Sequence, residues 1–258
     1  MEIVQLEDGY HIRTSGVSWA RFRLPQIADL EPRVRIDDVG DGWQRVRLTW
    51  HLGELVQQDE LAIQFQVDLE PDLWWAPHLA PEPGTCIGQH VFRSPALIAC
   101  QGADTLVLVP DLDICGKLPG NPWFMDLCVP GGTFCIGMTN TVVGQHVEYR
   151  KAGGMRFTPG TVELGFFATT YTDPVHPVNP WSRVTHFLWE RYARPLLAEG
   201  QPLSVAMDRY VEHVYNWAFN IWKEAVWQEF DLGGKRIGAP AFIVNVTQSP
   251  NYPDEVNL

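Results

Sequence analysis

Positive charge is scarce in this sequence. Its 258 residues carry 19 Lys and Arg against 31 Asp and Glu, a formal net charge of −12 at pH 7. Nowhere do the basic residues gather into a stripe that could follow a phosphate backbone, so nucleic acid is not an expected partner. Long apolar runs are missing too. None reaches the ~18–20 residues of a bilayer-crossing helix, so no membrane partner is expected. The opening MEIVQLEDGYHIRT has neither the basic cluster nor the apolar stretch of a secretory leader. A cytoplasmic protein is the expectation, with export of a longer parent as the alternative.

Cysteine is sparse, at five residues with no C-x-x-C pair. An odd number without metal-ligand spacing argues against a disulfide framework or a zinc site, and reduced, buried thiols are expected. The phosphate-cradling GxxxxGK[ST] loop, the dinucleotide fingerprint GxGxxG and the nucleophile elbow GxSxG do not occur, so no cofactor is expected. Asp111-Leu112-Asp113 sets two carboxylates close together, too few oxygen ligands for a hard cation. Turn capping is the expected role, and no metal is expected.

What the sequence does have is packing material. Hydrophobic residues make up 45% and aromatic residues 12%, including eleven tryptophans, a composition that favours a folded core over a solvated chain. From residue 10 to about 171 the pattern alternates with period two between clusters of Gly, Pro, Asp and Asn, which predicts strands. In residues 60–69 Leu61, Ile63, Phe65, Val67 and Leu69 share one face, and Glu60, Ala62, Gln64, Gln66 and Asp68 the other. Residues 43–52 repeat the pattern, and the two segments are expected to pair as antiparallel neighbours. Further strands are expected at 19–24, 33–38, 89–93, 95–101, 104–109, 133–139, 145–150 and 161–171. A strand-only run of this length, polar on one face of each strand, predicts two antiparallel sheets packed face to face.

The pattern changes at Asp173-Pro-Val-His-Pro-Val-Asn-Pro180, whose prolines disfavour a central strand and predict an extended connector. Helical spacing follows over Trp181–Ala198. A second helix is expected over about 205–228, with Met207, Val211, Val214, Ala218, Ile221, Trp222 and Ala225 on one stripe and Tyr210, Trp217 and Phe219 on another. The expected organisation is mainly β: a large antiparallel β-sandwich over 1–172, a connector with a linker helix over 173–203, and a long C-terminal helix with a loop over 204–258. A helix apolar around so much of its circumference needs neighbours that two helices do not supply.

This order of elements resembles the N-terminal part of bacterial glycoside hydrolases with a six-hairpin (α/α)6 barrel. The resemblance is architectural. Its local carriers are HVFRSPALIACQGADTLVLVPDLD in the strand region, and YVEHVYNWAFNIWKEAVWQEF followed by GGKRIGAPAFIVNVTQSPNYP beyond it. It implies a carbohydrate substrate or ligand, and a helical domain, mostly outside this sequence, as the partner that completes the barrel and carries catalysis. The chain would then be an inactive portion of a longer enzyme. A complete non-catalytic module binding glycan or protein is the other reading.

Glycosidic cleavage requires two carboxyl groups, one acid and one base or nucleophile. Glu229 and Asp231 in WQEFDLGG are the local candidates, against the commoner role of solvated surface carboxylates. Trp74, Trp75 and Trp123 fall at expected strand ends, where an indole can stack on a pyranose ring or cap the core. His78, His90 and Arg93 could contact sugar hydroxyls or anchor loops.

Overall fold

The computed structural model describes residues 1–76, 83–88, 95–115, 117, 121–128, 131–144, 149–173, 179–200, 206–221 and 227–240. The chain divides into two compact units, Met1–Trp189 and Glu190–Leu258.

The first unit is β-sandwich-like. One sheet has nine strands in the order β1 (Glu2–Leu6), β2 (Gly9–Thr14), β3 (Val17–Phe22), β7 (Glu60–Val67), β13 (Thr133–Thr139), β12 (Trp123–Cys128), β9 (Thr85–Gly88), β15 (Tyr149–Lys151) and β14 (Thr141–Val143). The other has six, in the order β4 (Arg33–Gly40), β5 (Trp43–Leu52), β17 (Gly160–Thr172), β11 (Asp104–Pro110), β10 (Leu97–Gln101) and β8 (Leu73–Trp75). Short strands β6 (Val56–Gln58) and β16 (Met155–Phe157) pair separately. All these pairings are antiparallel.

Alternation places the core. Phe22 and Phe65 of the larger sheet meet Phe166 of the smaller one, at ring-centroid distances of 5.3 and 4.8 Å in edge-on contacts. Leu48, Trp50, Leu106, Leu108, Ile63 and Ile136 fill the same layer. Trp123 lies in it as well, 1% exposed. The expected pairing of 43–52 with 60–69 is corrected: β5 pairs with β4 and β17, and β7 with β3 and β13. The two strands lie in opposite sheets because the apolar faces that made them look like neighbours meet across the core.

The six-stranded sheet is covered on both sides. Its outer face carries Ile98, Val107, Val109 and Phe167 under helix α1 (Trp181–Leu188), which buries Val184 there. Phe187 stacks on Trp43 at 4.0 Å and 17°. The first unit therefore extends past residue 172 to include this helix. Helical backbone continues through a π-type turn, Trp189–Ala193, into α2 (Arg194–Glu199).

In the second unit α3 (Met207–Asn216) runs into a π-type turn, Trp217–Ile221. Met207, Tyr210, Val211, Val214 and Ile221 are all exposed. The expected helix over 205–228 is corrected at its end, because residues 227–240 form a hairpin of β18 (Trp227–Leu232) and β19 (Lys235–Pro240). Gly233 and Gly234, at φ +60° and +79°, make the two-residue turn between them, and that backbone matches strand twist and suits glycine. Among the described residues no helix is long and apolar enough to cross a membrane.

Candidate functional site

The sequence candidates fall in separate places. Trp74 is half-buried and packs edge-on against Phe134 at 5.4 Å. Trp75, its neighbour on β8, alternates to the opposite face, is 44% exposed, and stands edge-on to Trp181 at 5.2 Å. Trp123 offers no ring face to a ligand, since its indole is in the core. His78, His90 and Arg93 lie outside the described residues.

Glu229 and Asp231 share one face of β18. Residues two apart on a strand are about 7 Å apart, within the range that glycosidases use, so spacing does not decide their role and environment does. Both are exposed. Glu229 forms an ion pair with Arg236 across the hairpin, and Asp231 Oδ1 accepts the Gly234 N–H at 3.0 Å. Each carboxylate has a structural partner in the hairpin, and neither is shielded from water.

A groove of about 460 Å³ lies on the outer face of the nine-stranded sheet, lined by Asp8, Arg21, Phe22, Arg23, Leu24, Pro25, Ala62, Gln64, Gln66 and Thr133. Strand alternation builds its floor: with Leu61, Ile63 and Phe65 committed to the core, Ala62, Gln64 and Gln66 face outward. Gln66 Nε2 donates to the carbonyls of Gly131 and Gly132 at 3.2 and 3.3 Å. Among the described residues the Gln64 amide and Gln66 Oε1 have no hydrogen-bond partner. A Cβ at Gly132 would lie 3.2 Å from Gln66 Nε2 and 4.0 Å from the Trp74 ring. Gly132, at φ +59°, thus lies between Gln66 and the Trp74 ring, which packs against the core and is not part of the groove lining.

One wall is fixed by a β-bulge. The β2–β3 register shifts between Ile12 and Arg13, leaving Trp19 unpaired in the ladder. A bulge turns the following residues over, so Ser18 and Arg21 share the outer face with His11. The His11 ring contacts Asp8 Oδ1 through Nε2 at 2.8 Å and Ser18 Oγ through Nδ1 at 3.1 Å. Ser18 Oγ donates to Asp68 Oδ2 at 2.7 Å. Arg21 reaches Asp68 at 3.3 Å and Asp8 at 3.9 Å, which closes the ring. The hydrogen bond from His11 holds the Asp8 carboxyl below the usual carboxylate range, and the Arg21 charge adds to it. Asp8, His11 and Ser18 stand in the order of a nucleophile relay. The nearer Asp68 carboxylate takes the single hydroxyl hydrogen, however, so the row positions Asp8 and Arg21 rather than activating Ser18.

The groove thus presents a carboxylate, two guanidiniums, two amides and a hydroxyl, a set of planar donors and acceptors suited to a polyhydroxylated ligand. Sequence reading left Gln64 and Gln66 as the wet side of a strand. Two amides on consecutive outward positions were the available signal. Among the described residues no three His, Cys, Asp or Glu side chains converge as metal ligands. Cys86, Cys100 and Cys115 are buried, Cys135 is half-buried, and none of the four is in a disulfide. Burial pushes the Cys115 and Cys135 thiols well above their ordinary range. A scan of protein-family models finds no match to this chain, and a search of curated proteins finds no relative, so the functional reading rests on the groove's own chemistry.

Proposed function

We propose that this chain is the saccharide-holding, β-sandwich-bearing portion of a carbohydrate-active hydrolase, inactive by itself, with the outer-face groove as its binding site. The observation that carries the reading is the Gln64 amide and Gln66 Oε1, which have no hydrogen-bond partner among the described residues, held on a rigid sheet beside Asp8 and Arg21. Amides, a carboxylate and a guanidinium can satisfy vicinal hydroxyls. A sheet holds such groups in place with little ordering cost on binding.

The hydrolase part of the reading is supported by the exposed apolar stripe of α3. Each large side chain on it would gain about 1.5–3 kcal/mol from full burial, which favours further helices as its cover. The hairpin carboxylates Glu229 and Asp231 would complete a catalytic pair only if such a neighbour enclosed them. A complete glycan-binding module is the second reading, and it uses the same groove.

The test is titration of the isotope-labelled chain with neutral and acidic oligosaccharides, following the side-chain amide signals of Gln64 and Gln66. Millimolar or tighter binding is expected to move those signals, and Gln64→Ala, at an exposed position, is expected to weaken it at least fivefold. No shift with any saccharide at 10 mM, on the order of −3 kcal/mol or weaker, would sink the reading. Reducing-sugar assays should show no hydrolysis by the chain alone.

A further inference from the structure

We infer that the groove selects an acidic saccharide, with Arg23 taking the sugar carboxylate; this rests on the groove holding a saccharide at all. The charges at the site are divided unequally. Arg21 is matched by Asp68 and Asp8, and Asp8 is also engaged by His11. Arg23 has no carboxylate partner among the described residues. Its Nε donates to the main-chain carbonyl of Asp8 at 3.4 Å. Its stem lies over Gly9, where a Cβ would sit 3.5 Å from Arg23 Cγ and 2.7 Å from the Phe22 carbonyl oxygen. Gly9, at φ +139°, therefore meets two requirements: a backbone conformation that L side chains rarely adopt, and close passage of the arginine stem.

The Asp8 bond and the Gly9 contact hold the near end of Arg23, and among the described residues its two terminal amino groups have no partner. Arg23 also borders a second recess, about 680 Å³, that shares Asp8 and Leu24 with the groove and carries Glu7 and Glu31, so a ligand carboxylate is served from the groove side. Among the described residues no carboxylate pairs with this guanidinium, in a chain whose net charge is −12. Neutral hydroxyls are served by the amides and need no such charge. A carboxylate accepts two parallel N–H bonds from a guanidinium, and these charge-assisted bonds are roughly twice as strong as neutral ones. A uronic acid combines that carboxylate with the hydroxyls that Gln64 and Gln66 suit.

The experiment is calorimetric titration of the whole chain with trigalacturonate and triglucuronate, their methyl esters, and a panel of neutral trisaccharides, at low and at 0.3 M salt. The methyl ester keeps the ring and removes the charge. One acid is expected to bind about tenfold or more tightly than its ester, with a margin that narrows in salt and disappears in Arg23→Gln. Thermal unfolding should be unchanged in that variant, since the side chain is exposed. Equal binding of acid and ester, or binding of neutral sugars alone, would overturn the inference and leave the saccharide reading in place. A preference for acid that survives Arg23→Gln would overturn the role of Arg23. Binding of none of these sugars would overturn both.

Discussion

Arg45 on β5 holds a buried carboxylate in place, and its removal gives a prediction with a worked magnitude. Asp111 is 0% exposed. Arg45 Nε donates to its Oδ2 at 2.6 Å, while Arg45 Nη2 reaches Asp113 at 3.1 Å. The guanidinium also lies over the Phe167 ring at 5.4 Å. The expected turn-capping role of Asp111 is present, since its Oδ1 accepts the Asp113 N–H at 3.2 Å. Among the described residues, Arg45→Met would leave the buried carboxylate with that bond alone. Loss of one partner from a buried pair costs about 3–5 kcal/mol, which at an m-value of about 2 kcal/mol/M moves the urea midpoint down by about 1.5–2.5 M.

The cost also has a pH signature. Burial raises the Asp111 carboxyl above its ordinary value of 3.8 despite Arg45. A raised folded value means that the folded state binds the proton more tightly. The stabilising contribution is thus full below pH 3.8 and is lost as pH rises through the folded value. Without Arg45 that value rises further and the window widens. The deficit of Arg45→Met should therefore shrink on acidification, by up to about 1.4 kcal/mol per pH unit within the window. Urea unfolding followed by tryptophan fluorescence at about pH 7.5 and at about pH 4.0, just above the ordinary value, measures both effects. Adding Asp111→Asn to Arg45→Met should recover most of the loss. A deficit below about 1 kcal/mol, or one unchanged between the two pH values, would refute the reasoning.

Gly137→Ala should be among the most damaging small changes, because its Cβ would lie 2.4 Å from Ala62 Cβ and 2.5 Å from the Leu61 carbonyl oxygen. Overpacking of about 3 kcal/mol predicts a Tm drop of about 6–12 °C in calorimetry, and an unchanged Tm would contradict the close strand approach. Cys86, Cys100 and Cys115 should resist a thiol reagent at pH 8 in the native chain and react at once in urea. Native labelling of any of them within seconds would contradict their burial. Val211→Lys with Ile221→Lys should leave Tm unchanged, since both positions are exposed, and a Tm loss of several degrees would show that α3 is already covered.

The strands were legible where one face was committed to the core: 43–52 matches β5 residue for residue, and the alternation of 60–67 places Ile63 and Phe65 inside. Sheet membership was not legible. The partners of β7 are β3 and β13, and burial across the whole chain chooses them while adjacent pattern does not. The groove was hidden for the same reason, since Asp8, Arg23, Gln64 and Thr133 come together only after four separate segments are placed. The bulge at Trp19 leaves no period-two trace. Conversely, Gly233-Gly234 between apolar alternations was a readable hairpin signal, overrun by the aromatic periodicity before it. Trp74 and Trp75 were readable as a pair, and the pleat sends them to opposite faces.

The cap formed by α1 has a practical consequence. Stopping the polypeptide at Thr172, where the strand pattern ends, would uncover a plate of Ile98, Val107, Val109 and Phe167. Bare β surface of that kind sticks to its own kind. A sandwich trimmed by its pattern should therefore precipitate on expression, while one carried through Trp189 should stay in solution.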